Sequence, residues 1–205
     1  MKSQDLLDQI NAQINKCSGC RLCKVRIKAV PGEGPVGSLL AFVGEAPGAN
    51  EDRSGTPFCG RAGDLLDRLL IMIGVKRSQI WVGNVLKCRP PENRGPMVDE
   101  VRACRTYLEK QLELIGPRLV IPLGKFATDH FIPEARISQV KGIPVRSGGF
   151  LIYPVYHPAA ALRSSAVLAE LEKDFKKIPA VLSADPHQFP IVGGSKISEN
   201  QVSLF

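Results

Sequence analysis

Residues 39–73 read LLAFVGEAPGANEDRSGTPFCGRAGDLLDRLLIMI, and this stretch decides the fold. Leu39–Val43 is a short unbroken apolar run, as a buried strand would be. Gly44–Gly60 is a loop with glycine or proline at each bend. Arg61–Ile73 then places Leu65, Leu66, Leu69, Leu70 and Ile73 at helical spacing. The same unit recurs downstream. Ile80–Val85 is a second strand before a helix over Met97–Ile115. Leu119–Leu123 is a third, ending at Gly124 before a helix near 125–131. Leu151–Tyr156 is a fourth, before a closing helix over Ser165–Ile178. Upstream, Leu6, Leu7, Ile10 and Ile14 mark a polar amphipathic helix over residues 3–15. Strands alternating with helices predict an α/β fold, a three-layer α/β/α sandwich around a central, mostly parallel four-stranded sheet. Periodicity ends near Ser183, so residues 1–182 are expected to form the domain and 183–205 a flexible tail.

The 205 residues are enough for one domain with a short appendage. A 44% hydrophobic share excludes general disorder, and no apolar run approaches the ~18 residues of a membrane span. The start of the chain, Met1-Lys2-Ser3-Gln4-Asp5, lacks the apolar core of a secretory signal, which points to a reducing cytoplasmic setting. There, six cysteines suggest metal or redox chemistry before a disulfide frame. The net charge of +7 favours a polyanionic partner. The stretch from Ser183 onward holds one basic and two acidic residues, so the preceding body carries +8.

Ligands of open α/β sheets bind beyond the carboxyl ends of the strands, and three unusual loops begin there. The first runs Gly44-Glu45-Ala46-Pro47-Gly48 to Glu51-Asp52, then Gly55-Thr56-Pro57-Phe58-Cys59-Gly60. The second follows Asn84 into Lys87-Cys88-Arg89-Pro90-Pro91-Glu92-Asn93-Arg94. The third is His157-Pro158-Ala159-Ala160-Ala161-Leu162-Arg163. Each sets polar side chains beside prolines and small residues that hold the backbone rigidly. Separately, Cys17-x2-Cys20 pairs with Cys88 and Cys104, a four-thiolate pattern for zinc or an iron–sulfur cluster. Cys23 repeats the spacing from Cys20 and competes with it as a ligand. Cys59 reads as a small buried hydrophobe.

The ordered set Gly-Glu-Ala-Pro-Gly, Pro-Phe-x-Gly-x-Ala-Gly, Lys-Cys-Arg-Pro-Pro-x-Asn-Arg and His-Pro-Ala-Ala resembles the family 4 uracil-DNA glycosylases, the iron–sulfur members of their superfamily. The likeness runs from Cys17 to Arg163. It implies an enzyme that flips uracil out of single- or double-stranded DNA and hydrolyses the N-glycosidic bond. Asn84 would accept from uracil N3–H and donate to O4, and Phe58 would stack on the ring. His157 would hydrogen-bond O2 and stabilise the charge that builds as the bond breaks. The resemblance places Glu45 against the uracil, with backbone donors around Ala46. It gives Glu51 a part in orienting water, and Asn93 an active-site position. Some relatives in the wider superfamily carry an aspartate where this chain has Ala46. A dissociative reaction dominated by charge stabilisation is therefore expected. Leu162 and Arg163 match the loop that enters the duplex when the nucleotide leaves. The first and third loops hold no lysine to serve as a Schiff-base nucleophile, so a monofunctional glycosylase is expected.

By the same resemblance Cys17, Cys20, Cys88 and Cys104 would hold a [4Fe–4S] cluster, where spacing alone favours zinc. The chain ends Gln201-Val202-Ser203-Leu204-Phe205, which resembles the peptide by which bacterial repair proteins dock on the sliding clamp. A cytoplasmic, nucleoid-associated monomer with no membrane partner is implied. Rival readings are a non-enzymatic iron–sulfur or zinc nucleic-acid-binding module on the same fold, and a glycosylase acting on other deaminated bases as well.

Overall fold

A computed structural model describes residues 3–192. The elements in chain order are α1 (Ser3–Lys16), β1 (Leu40–Gly44), α2 (Ala49–Ser54), α3 (Arg61–Met72), β2 (Ile80–Asn84), α4 (Val98–Ile115), β3 (Leu119–Pro122), α5 (Gly124–Phe131), α6 (Ile137–Val140), β4 (Val145–Ser147), β5 (Phe150–Ile152), α7 (Pro158–Ala161) and α8 (Ser165–Ser183). Side chains of a strand point alternately to its two faces. Here that alternation divides the core in two. Leu40, Phe42, Ile80, Val82, Leu119 and Ile121 face a layer containing α3 and α8, where Leu66, Leu70, Leu171 and Phe175 are buried. Ala41, Val43, Trp81 and Val120 face the other way, onto Leu7 of α1, Leu108 and Leu112 of α4 and Ala127 of α5. The result is the expected three-layer α/β/α sandwich.

The sheet has five strands in the order β2-β1-β3-β5-β4, not four. β1 pairs in parallel with β2 and β3, β3 pairs in parallel with β5, and β4 pairs antiparallel with β5. The extra strand β4 is three residues long and joins β5 through Gly148-Gly149, both at positive φ. That is a two-residue hairpin of the kind that needs glycine, and so short a run carries no period to read. The expected loop over Gly44–Gly60 also contains α2. Helix α8 continues to Ser183 through Pro179, past the predicted end at Ile178; Val181 beyond the proline is still packed in the core.

Residues 184–192 run on against the domain. Arg146 N–H donates to Pro190 O and Val192 N–H to Arg146 O, at 2.8 and 2.9 Å, and Phe189 packs on the core. This segment covers the outer edge of β4, which would otherwise present unpaired backbone groups. The peptide Gln201–Phe205 lies outside the described residues. No helix among the described residues is long and apolar enough to cross a membrane.

Because β2 lies on one side of β1 and β3 on the other, the strand order reverses beside β1. The crevice at the carboxyl ends of β1 and its neighbours is where a ligand enters such sheets. Gly44, Asn84 and Leu123 all reach this edge, and an isolated bridge from Leu123 to Val155 carries the chain on to His157.

Candidate active site and cysteine cavity

Gly44 is the last residue of β1, and the space where its side chain would lie is taken by others. A Cβ there would collide with Asn84 Oδ1 and stand 2.8 Å from Phe58 Cζ. The close approach is therefore available only to glycine. It brings the Asn84 amide and the Phe58 ring together over one backbone position. Asn84 is 2% exposed at the end of β2. Phe58 holds φ at +52°, uncommon for a side chain of its size. Its carbonyl oxygen sits where a Gly63 Cβ would lie, so the start of α3 packs directly onto it.

His157 completes the cluster. Its ring stacks on Phe58 with centroids 5.8 Å apart and planes 24° from parallel. It is the N-cap of α7, and its Nδ1 accepts the Ala159 N–H at 3.0 Å. Burial lowers its pKa to about 4, so the ring is neutral near pH 7. A neutral imidazole whose Nδ1 accepts must carry its proton on Nε2. The cap thus sets a fixed outward donor. The sequence offered His-Pro as a signal for the position, but not the tautomer.

The remaining predicted residues are placed as follows. Glu45 directly follows Gly44, and burial raises the pKa of its carboxyl. Glu51 lies on α2 with its carboxylate packed against Gly48. Ala46 packs against the small buried cluster of Leu22, Leu86, Cys88 and Cys104. Asn93 is exposed, with φ +55°, and its side-chain oxygen accepts from Arg89 Nε at 2.8 Å. Leu162 packs on the core beside buried Ala161, and Arg163 is exposed. Asp52, which sequence reading passed over, is buried and accepts the Ile27 N–H at 3.0 Å, holding the segment after the first cysteines to α2.

Cys17, Cys20, Cys23, Cys88 and Cys104 line one cavity, together with Arg26, Lys87 and Tyr107. Hydrogen-bond donors stand beside four of these thiols. Cys17 takes a hydrogen bond from Gly19 N–H at 3.4 Å and one from the Tyr107 hydroxyl. Cys20 is bonded by Leu22 N–H, Cys88 by Arg26 Nη1 at 3.0 Å, and Cys104 by Lys87 N–H. These four are the predicted ligands. Burial pushes the Cys88 and Cys104 thiols up, Cys104 to about 11, so as free thiols they would be unreactive.

No three His, Cys, Asp or Glu side chains among the described residues converge as around a single metal ion. Tetrahedral zinc at about 2.3 Å from each sulfur would draw the sulfurs to within about 3.8 Å of one another. The four thiols named by the resemblance all line that one cavity, a donor set suited to a thiolate-bound metal group. Cys59 lies apart, exposed and 3.2 Å from Ser54 Oγ, and not buried as its sequence context suggested.

At the strand switch, bare Gly44 thus brings together the Asn84 amide, the Phe58 ring and a neutral His157 on an α/β sheet edge. The profile of the uracil DNA glycosylase superfamily matches residues 31–181. The type-4 uracil-DNA glycosylase of Saccharolobus solfataricus is 41% identical over 89% of this chain and 89% of its own. That of Archaeoglobus fulgidus is 43% identical over 84% and 91%, and that of Thermotoga maritima 38% over 83% and 93%. The chain belongs to the type-4 uracil-DNA glycosylase family.

Proposed function

We propose that this protein excises uracil from DNA, hydrolysing the N-glycosidic bond to leave an abasic site. The observation that carries the reading is the convergence of Asn84, Phe58 and His157 at Gly44, with His157 held as an Nε2–H donor. One amide can accept from uracil N3–H and donate to O4, a pairing that cytosine does not offer. Phe58 supplies the stacking face.

Cleavage sends the C1′–N1 bonding electrons into the departing base, and negative charge builds on O2. A neutral Nε2–H donor, held in place beforehand, stabilises that charge with no proton to transfer. Water then adds to the sugar carbon, and the proton it releases neutralises the departed uracil anion. Glu45, with its raised carboxyl, and Glu51 beside the Gly48 turn are the groups we assign to orient the water, since Ala46 offers no carboxylate. Leu162 and Arg163 follow His157 directly and would enter and grip the duplex, and the +8 body would attract the backbone. Lys87, the lysine of the second loop, is 1% exposed and is no candidate nucleophile. A duplex carrying one uracil should be cut at that site only after hot alkali. Cutting before alkali would show lyase activity, and no cutting after it would defeat the enzyme reading.

Cys17, Cys20, Cys88 and Cys104 would hold a [4Fe–4S] cluster, which when bound supplies a covalent tie between the N-terminal segment and the loop after β2. The loop residue Ala46 packs against the buried cluster that includes Cys88 and Cys104, so that tie would also brace the uracil pocket. We assign residues 1–182 to the glycosylase domain and 183–205 to an appended segment whose first part, to Val192, lies along β4, in a monomer working on cytoplasmic, nucleoid DNA. Gln201–Phe205 would dock on the sliding clamp. Deleting these five residues should abolish binding to purified clamp and spare activity on short oligonucleotides; equal clamp binding after deletion would refute the docking.

A further inference from the structure

Two cations enter the cysteine cavity, and they are built in differently. Arg26 is a brace. Its Nη1 donates to Cys88 Sγ at 3.0 Å, while Nη2 donates to Asn15 O and Cys17 O at 3.0 and 2.9 Å. It thereby links the Cys17 segment to the Cys88 segment. Lys87 is harder to account for. It is 1% exposed, among the largest fully buried side chains, and its Nζ has no hydrogen-bond partner among the described residues. The amine stands 5.4 Å from the centre of the Trp81 ring and lines the cavity, with the Cys104 thiol facing it. A buried amine without a hydrogen-bond partner is destabilising, and a methionine would fill the same volume without that cost.

We infer that Lys87 and Arg26 are the counter-cations of the cluster site, with Lys87 Nζ donating to cluster sulfur and Arg26 to the Cys88 thiolate. This rests on the iron–sulfur reading given above. The charge fits: four thiolates around a [4Fe–4S] core in its resting state give a net charge of about −2, and two cations offset it. Lys87 would also couple the cofactor to the fold. Its backbone follows β2 and lies three residues after Asn84, while its side chain reaches back over Trp81 of that strand.

The test uses the purified holoprotein handled without oxygen. Lys87→Met keeps the length of the side chain and removes the charge. Iron release to a chelator should become about tenfold faster, as loss of an outer-shell partner typically costs 10–100-fold in metal affinity. The reduction potential of the cluster should shift to more negative values, because a positive charge and a donor to sulfur have both gone. Arg26→Gln, at a partly exposed side chain, should move both readouts in the same direction and serves if Lys87→Met does not fold. An unchanged potential would overturn the assignment whatever happens to iron retention, since a purely space-filling residue leaves the potential in place. Wild-type protein without iron and acid-labile sulfide would overturn the cofactor reading itself.

Discussion

Asn84→Asp should reduce single-turnover uracil release at pH 7.5 by roughly 10⁴-fold, the scale at which a site built for one hydrogen-bond pattern rejects a mismatch. The carboxylate occupies the same volume but offers no donor to uracil O4. At 2% exposure it is also poorly solvated. Burial disfavours the charged form and raises the carboxyl pKa. A protonated carboxyl restores one donor and one acceptor, the pattern of the amide. Activity should therefore recover in part as the pH falls toward 5.5. A structural role for Asn84 would lower the melting temperature instead and would leave no acid recovery. Near-wild-type activity at pH 7.5 would remove Asn84 from base recognition.

His157→Asn should lower kcat by about 10²–10³-fold, the usual cost of one preorganised oxyanion donor, with affinity for uracil-containing DNA changed only a few-fold. Asparagine is chosen over alanine because it remains a good N-cap. The Ala159 N–H then keeps an acceptor and α7 its start, so the melting temperature should hold. Alanine should lose the same activity and some stability besides. A variant that binds DNA poorly and turns over normally once bound would make His157 a binding residue only.

The parts of this fold that were legible in the sequence are those with a continuous apolar run or a period. Leu40 to Val43 is apolar throughout because its side chains alternate between two cores, and Leu65, Leu66, Leu69 and Leu70 line one face of α3, so both elements could be read from residue order alone. β4 could not, because its three residues are set by the Gly148-Gly149 turn and by pairing with β5 and Ile191. α2 stood inside a polar loop with no apolar stripe to reveal it. At the site, residue identities were readable from the motifs, but geometry was not. Nothing in the order of residues shows that Gly44 is bare so that Asn84 and Phe58 can meet over it. The Ala159 N–H that fixes the His157 tautomer belongs to a backbone that any sequence carries. Cys17 and Cys104 were visible as cysteines. The Tyr107 hydroxyl and the Lys87 N–H that bond them depend on α4 packing across the cavity.

The most direct test of the central claim is to identify and count the base released from an oligonucleotide containing a single uracil. Recognition of uracil by Asn84, Phe58 and His157 predicts one free uracil per abasic site formed, with no release from matched oligonucleotides carrying cytosine or thymine at that position. Tight binding of the uracil strand with no free base would contradict it, as would equal release of cytosine.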